Sequence, residues 1–223
     1  MKQKLVVVGN GMAGMRTVEE LLKLAPDMYD ITVFGAEPYG NYNRIMLSPV
    51  LAGEKTIDEI MLNDTAWYAD NGIALHTESK VVEIDRHGHK VIAENGVTAP
   101  YDRLLLATGS DPVIIPFPGV DLEGVVTFRD IHDVDQMVSA SGPEKNAVVI
   151  GGGLLGLEAA AGLSKRGMNV TVLHLMDTLM ERQLDSTAGA MLSRSLKERG
   201  LDIRLEAQTE AMLGDGKVRA VKL

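Results

Sequence analysis

Gly9-Asn10-Gly11-Met12-Ala13-Gly14 and Gly151-Gly152-Gly153-Leu154-Leu155-Gly156 are two copies of one glycine pattern in a chain of 223 residues. Each copy follows a short apolar run, at residues 5–8 and 147–150, and each precedes a stretch with helical periodicity. Strand, tight glycine turn and helix in that order are typical of a dinucleotide-binding βαβ unit, where a pyrophosphate lies at the helix N-terminus. Two copies in this setting predict that one α/β chain binds two nucleotides.

Composition limits the function classes. The chain has 45% hydrophobic residues, a formal net charge of −9 and no cysteine. Interspersed acidic and basic residues disfavour nucleic acid or an anionic membrane as a partner. Without cysteine the chain holds no dithiol, thiol nucleophile or iron–sulfur site, so electron chemistry must belong to a bound cofactor. No apolar run approaches the ~20 residues that span a bilayer and no signal segment is recognisable, so a cytoplasmic location is expected.

Periodicity and turn residues divide the first half into alternating elements. We expect strands at 4–8, 31–34 and 104–107, the last of them buried, a helix at 12–24, and a short antiparallel meander between residues 73 and 99. Ser48-Pro49 predicts the start of a further helix, with Ser48 as its N-cap. Glu37 lies just past the second strand, where an acid can accept hydrogen bonds from both ribose hydroxyls of an adenosine.

The second half repeats the plan. Strands are expected at 147–150, 170–173, 203–205 and 218–221, and helices at 130–140, 187–199 and after the second glycine pattern. The predicted fold class is α/β, with two Rossmann-like dinucleotide-binding domains and a small antiparallel meander. The proline-rich stretch 112–118 predicts the crossover, which gives domains at 1–118 and 119–223.

Three longer stretches carry a resemblance to a known family: residues 7–14, Asn-Tyr-Asn-Arg-Ile-Met-Leu-Ser-Pro-Val-Leu-Ala-Gly-Glu at 41–54, and Leu-Met-Asp-Thr-Leu-Met-Glu-Arg-Gln-Leu-Asp at 175–185. The order of motifs resembles the two-dinucleotide flavoprotein reductases of the glutathione-reductase type, with an FAD domain first and an NAD(P) domain inserted after it. The three stretches together are similar to the large subunit of NAD(P)H-dependent nitrite reductase, and the similarity covers essentially the whole chain.

The resemblance implies a cofactor role for particular residues. The FAD contacts that it implies are Gly9, Gly11, Met12, Ala13 and Gly14 at the pyrophosphate, Glu37 at the adenosine ribose, Asn43 and Arg44 beside the flavin, Val81 at the adenine, Ala107, Thr108 and Gly109 at the strand end that passes FAD, and Arg129 near the pyrophosphate. The NAD(P)H contacts that it implies are Gly151, Gly153, Leu154, Leu155 and Gly156 at the pyrophosphate, Glu158 near the nicotinamide, and His174 where an acid is expected.

The chain departs from the family pattern in three ways. Pro49 stands where related ferredoxin reductases have a lysine that approaches the flavin. His174 replaces the acid that would bind a ribose 2′-OH and repel a 2′-phosphate, which leaves NADH or NADPH open, and Arg182 is a candidate for such a phosphate. The family's return to the FAD domain and its iron–sulfur and sirohaem regions lie outside these residues. The resemblance therefore implies an incomplete FAD domain that binds FAD weakly and a second domain that binds NAD(P)H.

The function predicted from the resemblance is the electron-entry module of a nitrite reductase. Hydride would pass from NAD(P)H to FAD for onward single-electron transfer to iron–sulfur and sirohaem centres outside this chain, in downstream domains or with a small subunit. Direct hydride transfer requires no catalytic acid or base, and His87 and His89 have no third ligand nearby, so no metal site is predicted. Two alternatives stay open, an NAD(P)H:rubredoxin or ferredoxin reductase and a non-catalytic nucleotide-binding fragment, and so does a homodimer.

Overall fold

The computed structural model describes residues 2–223. The strands are β1 (Gln3–Val8), β2 (Tyr29–Phe34), β3 (Asn41–Tyr42), β4 (Met61–Asn63), β5 (Ala74–His76), β6 (Val81–Asp85), β7 (Lys90–Ala93), β8 (Thr98–Pro100), β9 (Arg103–Leu106), β10 (Asn146–Ile150), β11 (Asn169–Leu173), β12 (Asp202–Arg204), β13 (Ala211–Asp215) and β14 (Lys217–Lys222). The α-helices are α1 (Met12–Leu24), α2 (Leu47–Leu51), α3 (Thr65–Asp70), α4 (Ile131–Ala140), α5 (Leu154–Lys165) and α6 (Ser186–Glu198). Within the described residues, no helix is long and apolar enough to cross a membrane.

Contacts between residues divide the chain into two compact units. Unit 1 comprises Met1–Arg44 and Asp58–Ser110, and unit 2 comprises Ile45–Ile57 and Asp111–Leu223. The short segment with α2 therefore packs with the second half of the chain although it lies in the first half of the sequence. The functional division at residue 118 stays a prediction.

Unit 1 is built around β1, whose two faces are both covered. Its parallel sheet has the order β5-β2-β1-β9. Successive side chains of a strand point to opposite faces. Leu5 and Val7 accordingly pack in one apolar cluster with Met15 and Val18 of α1. Val6 and Val8 pack in another with the antiparallel meander β6-β7-β8. This two-sided burial explains why β1 is a continuous apolar run rather than an alternating one.

Unit 2 contains a second parallel sheet with the order β10-β11-β12 and a separate hairpin of β13 and β14. Helix α5 connects β10 to β11 and packs on both strands. Helix α2 crosses α5 at Gly162, where an added Cβ would lie 2.8 Å from Leu51 Cγ. The Arg166 guanidinium, just past α5, donates hydrogen bonds to the carbonyls of Leu51 and of Val50, the latter at 3.1 Å. The Lys165–Glu54 ion pair adds to this contact.

The helix predicted at 12–24 is confirmed with the same bounds, and it ends just before Pro26. Two details of the prediction are wrong. Ser48 is not an N-cap, because α2 begins at Leu47 after Met46 and the Ser48 side chain bonds elsewhere. The strand predicted as buried at 104–107 is β9, an edge strand whose Leu106 side chain is 58% exposed, because β1 is its only neighbour among the described strands.

Candidate functional site

The three glycines of the first turn have three different surroundings. Gly9 has φ = +114°, and an added Cβ would overlap the carbonyl oxygen of Ala107. Gly14 lies in α1 so close to the turn that its added Cβ would be 2.7 Å from the Gly9 carbonyl oxygen. By contrast, a Cβ on Gly11 would have no heavy atom of the described chain within 4 Å, its sequence neighbours aside. The turn therefore needs glycine for backbone conformation and packing at its ends, and keeps open space in the middle, as a bound pyrophosphate requires.

The second turn repeats this arrangement in unit 2. Gly151 has φ = +120°, and an added Cβ on Gly156 would overlap the Gly151 carbonyl oxygen. A Cβ on Gly153 would meet no heavy atom of the described chain within 4 Å beyond its sequence neighbours. Both turns thus need glycine at the first position for a positive φ and at the last position for packing, and both leave open space at the middle glycine, although at the second turn Gly151 faces open space as well. The open middle position is a geometric match to dinucleotide phosphate binding.

The helices that follow the two turns present unpaired backbone donors. Gly11 caps α1 and Gly153 caps α5, neither cap makes a side-chain hydrogen bond, and neither first turn contains an acid. The first N–H groups of a helix lack partners within the helix, and the helix dipole is positive there. Leu154 and Leu155 at the start of α5 are more than half exposed. Both helix starts thus have the chemistry that holds a pyrophosphate.

The strand end predicted to pass FAD lies against the first turn. The Ala107 N–H donates to the Val8 carbonyl at 2.8 Å, which extends the β1–β9 pairing by one residue. The Thr108 nitrogen would lie 3.1 Å from a Cβ on Gly9, and Gly109 has φ = +73°. The structure therefore brings 107–109 together with the turn at 9–14, as the sequence predicts.

Glu37 is held by two side chains of its own loop. Tyr42 donates its hydroxyl to Oε2 of Glu37 at 2.7 Å, and Arg44 Nη2 lies 2.5 Å from Oε1. The Arg44 guanidinium also lies over the Tyr42 ring, 4.9 Å from its centroid. Asn43 donates its backbone N–H to the Ile60 carbonyl at 2.8 Å. Each carboxylate oxygen can accept two hydrogen bonds and is shown here with one, so Glu37 keeps acceptor capacity for ribose while its position is fixed.

A buried polar network that no sequence pattern indicates connects this loop to the first glycine turn. The Tyr68 hydroxyl donates to Asn10 Oδ1 at 2.6 Å and accepts from the Asn41 N–H at 3.2 Å. Asn10 also donates to the Tyr39 carbonyl at 3.1 Å. Burial raises the pKa of Tyr68 to about 12. Asn10, inside the glycine pattern, thus connects the turn to the loop that carries Glu37.

An open groove of about 470 Å³ runs beside the first turn of α1. Its lining is Met12, Ala13, Arg16, Glu19, Asn41 and Leu62. The predicted contacts Met12 and Ala13 therefore face accessible space.

Two further predicted FAD contacts lie away from the first turn in sequence. Val81 is the half-buried first residue of β6 and pairs with Ala93 of the meander. Arg129 belongs to unit 2, where its backbone N–H donates to the Asp133 carboxylate at 2.7 Å and Thr127 donates to the same oxygen at 2.8 Å. The cofactor roles of Val81 and Arg129 stay predictions.

Glu158 lies in the second turn of α5, beyond the first-turn positions where the helix dipole favours an acid. Its Oε2 accepts the Ser48 hydroxyl at 2.6 Å, within unit 2. This bond joins α2 to α5 and fixes the carboxylate. The role of Glu158 near a nicotinamide stays a prediction.

His174, where an acid was expected, is a buried side chain that is 8% exposed. Its Nδ1 accepts the backbone N–H of Gly152 at 3.0 Å, and its Nε2 lies 3.1 Å from Glu181 Oε2. Because a backbone N–H can only donate, the ring carries its proton on Nε2 and donates it to Glu181. The backbone N–H of Glu181 and, to a smaller extent, His174 lower the pKa of the Glu181 carboxyl, so it is ionised at neutral pH.

Comparisons with known proteins agree with this geometry. The sequence model for pyridine nucleotide-disulphide oxidoreductases matches residues 3–223. The chain is 53% identical over 221 residues to a nitrite reductase [NAD(P)H] of Bacillus subtilis, covering 99% of this chain and 28% of the relative. It is 47% identical to the assimilatory nitrate reductase electron transfer subunit of the same organism, covering 97% of this chain and 28% of the relative.

A solved structure supports the fold. The covalent putidaredoxin reductase–putidaredoxin complex matches with a TM-score of 0.91 and 30% identity, covering 98% of this chain and 54% of the solved chain. This similarity confirms the predicted fold class, and the curated relatives confirm the resemblance to NAD(P)H nitrite reductases. The chain spans about a quarter of the length of these curated relatives, 28% in both cases.

Proposed function

The chain belongs to the pyridine nucleotide-disulphide oxidoreductase family, and from that membership we propose that it binds FAD at the first glycine turn and NAD(P)H at the second. The observation that carries the proposal is the open space at Gly11 and Gly153, each at the start of a helix without a side-chain cap. FAD, when bound, supplies a centre that accepts a hydride from NAD(P)H and releases the two electrons singly.

The residues of the chain bind and orient the two nucleotides. The N–H groups at the starts of α1 and α5 bind the pyrophosphates, and Glu37 accepts hydrogen bonds from the adenosine ribose of FAD. Tyr42 and Arg44 hold Glu37 in place for this role. Hydride transfer needs no acid, base or nucleophile from the protein. The main contribution of the protein to the rate is therefore to place the two reactants correctly.

The finer proposal is that the chain is the electron-entry module of a nitrite reductase. Its support is the 53% identity to the Bacillus subtilis nitrite reductase over 99% of the chain. In this proposal the electrons continue to iron–sulfur and sirohaem centres in other domains or subunits.

A second candidate is a reductase that transfers electrons to a separate small protein. The TM-score of 0.91 to the putidaredoxin reductase–putidaredoxin complex favours it. Reduction of an added rubredoxin or ferredoxin by the chain with NADH would support this candidate, whereas reduction of no added acceptor protein would leave the nitrite reductase module as the better account.

Calorimetric titration with FAD and with NADH tests the two sites separately. The matched variants are Gly11→Ala and Gly153→Ala, which add one methyl group at equivalent positions of the two turns. We expect Gly11→Ala to weaken FAD binding alone and Gly153→Ala to weaken NADH binding alone. If the wild-type chain binds neither nucleotide, or if each variant affects both equally, the assignment of one nucleotide to each turn is wrong.

A further inference from the structure

The segment 175–184, between β11 and α6, is attached to the second glycine turn through Gly152. The Met180 N–H donates to the Gly152 carbonyl at 3.0 Å, with Met180 in the left-handed region at φ = +56°. The fully buried Leu179 packs so closely that a Cβ on Gly152 would lie 2.5 Å from its Cδ2. These contacts fix the segment beside the turn that we assign to NAD(P)H.

His174 completes this attachment and also positions a carboxylate. A Cβ on Gly152 would lie 2.8 Å from the ring at Cγ. Both ring nitrogens bond to the protein, Nδ1 to the Gly152 N–H and Nε2 to Glu181. The imidazole therefore has no nitrogen left for a ribose hydroxyl, although it occupies the place in the chain where a Rossmann fold normally has the acid that binds one.

A carboxylate at this position comes from Glu181 instead, whose Oε2 lies 3.1 Å from His174 Nε2. Its Oε2 is held by His174, and its side chain remains 31% exposed. We propose that Glu181 takes over the role of the missing acid, so that it accepts a hydrogen bond from the ribose 2′-OH of NADH and repels the 2′-phosphate of NADPH. This inference rests on the proposed binding of NAD(P)H at the second turn and names the preferred form, NADH.

Arg182 is the competing group. It follows Glu181 directly, and its positive charge contributes to the lowered pKa of the Glu181 carboxyl, as the last of the causes that lower it. An arginine that reached the 2′-phosphate would produce the opposite preference. The buried His174 ring fixes the orientation of the Glu181 carboxylate. We therefore expect Glu181, rather than Arg182, to decide the preference, in favour of NADH.

The test is calorimetric titration of the whole chain with NADH and NADPH, for wild type and Glu181→Gln. Glutamine keeps the size and an acceptor oxygen but removes the charge. A carboxylate about 6 Å from a doubly charged phosphate in water-like surroundings weakens binding about tenfold. We therefore expect wild type to bind NADH about tenfold more tightly than NADPH, and Glu181→Gln to remove most of that difference by improving NADPH binding.

Asp177→Asn is the matched control, because it removes one negative charge from the same segment. Asp177 lines an open pocket of about 440 Å³ beside α6 and has no bond to His174. The ratio of NADH affinity to NADPH affinity in Asp177→Asn is expected to equal that of wild type. Thermal unfolding of both variants at the wild-type temperature will show that the segment is intact.

The outcomes separate the inference from the function on which it rests. If wild type binds neither nucleotide, the proposed function fails and the inference fails with it. If wild type binds both and Glu181→Gln leaves the affinity ratio equal to that of Asp177→Asn, only the inference is overturned. A wild-type preference for NADPH that Arg182→Ala abolishes would also overturn it and would assign the recognition to Arg182.

Discussion

Replacing Gly153 or Gly156 with alanine adds the same methyl group at two places with opposite surroundings. At Gly153, the N-cap of α5, φ is −84° and the methyl group would enter open space. At Gly156 it would overlap the Gly151 carbonyl oxygen and lie 3.1 Å from the carbonyl carbon. The two substitutions therefore separate the packing role of the turn from its binding role.

The expected sizes follow from these surroundings. Overpacking against backbone that cannot move aside costs about 3 kcal/mol, so Gly156→Ala should lower Tm by about 6–12 °C. In Gly153→Ala, the small loss at a helix cap is offset by the reduced freedom of the unfolded chain, and stability should stay within about 1 kcal/mol of wild type. The methyl group would, however, displace the pyrophosphate from the N–H groups, and losing one charged hydrogen bond weakens NADH binding by about 10–150-fold.

The assay combines thermal unfolding without nucleotide and calorimetric titration with NADH, for both variants and wild type. The reasoning is refuted if Gly153→Ala binds NADH as tightly as wild type. It is equally refuted if Gly156→Ala keeps the wild-type Tm, since that overlap is the basis for assigning Gly156 to packing.

Two further substitutions test contacts that hold each unit together. Tyr68→Phe leaves Asn10 and the Asn41 N–H without their partner and should cost about 1–3 kcal/mol in urea unfolding at neutral pH. Because the folded-state pKa of Tyr68 is about 12 and the unfolded value is about 10, this tyrosine's contribution is complete below pH 10 and is lost as pH rises towards 12. The difference between wild type and variant should therefore shrink over that range by at most about 3 kcal/mol, and a constant difference would contradict the buried hydroxyl. Ser48→Ala should destabilise unit 2 by about 1.5 kcal/mol because Glu158 loses its donor, whereas Ser48→Thr keeps the hydroxyl; equal Tm values for the two variants would contradict this bond.

Local patterns made much of the fold predictable. The glycine turns and α1 follow from residues that are close in sequence, since turn conformation and helical periodicity are local properties. The family resemblance alone predicts that the strand end at 107–109 passes FAD, and in the structure it lies against the first turn because β9 pairs in parallel with β1. The three glycine roles in each turn were implied by the same pattern, and the positive φ values of Gly9 and Gly151 agree with it.

Contacts between distant residues could not be predicted in this way. Serine is a preferred N-cap residue, but in the folded chain the Ser48 hydroxyl donates a hydrogen bond to Glu158 on α5. The packing of α2 on Gly162 depends on tertiary structure that no periodicity in residues 45–57 encodes. The sequence predicts Glu37 as a ribose ligand, whereas its hydrogen bonds to Tyr42 and Arg44 depend on how the loop folds back.

His174 illustrates which features of the site the sequence predicts and which it does not. The missing acid was visible from the motif, and it left the choice of NADH or NADPH open. The replacement carboxylate was not visible, because Glu181 reaches His174 only through a loop with a left-handed residue at Met180. From the sequence alone, the candidate for contact with a 2′-phosphate is Arg182, the neighbour of Glu181.

The proposed function requires that one chain bind both nucleotides so that hydride passes between them. An anaerobic visible absorption spectrum of the chain with excess FAD, titrated with NADH, tests it most directly, with FAD and NADH alone as the control. We expect the flavin band to bleach only when the chain is present, with one NADH consumed for each flavin reduced. Bleaching no faster than in the control, with either NADH or NADPH, would contradict it.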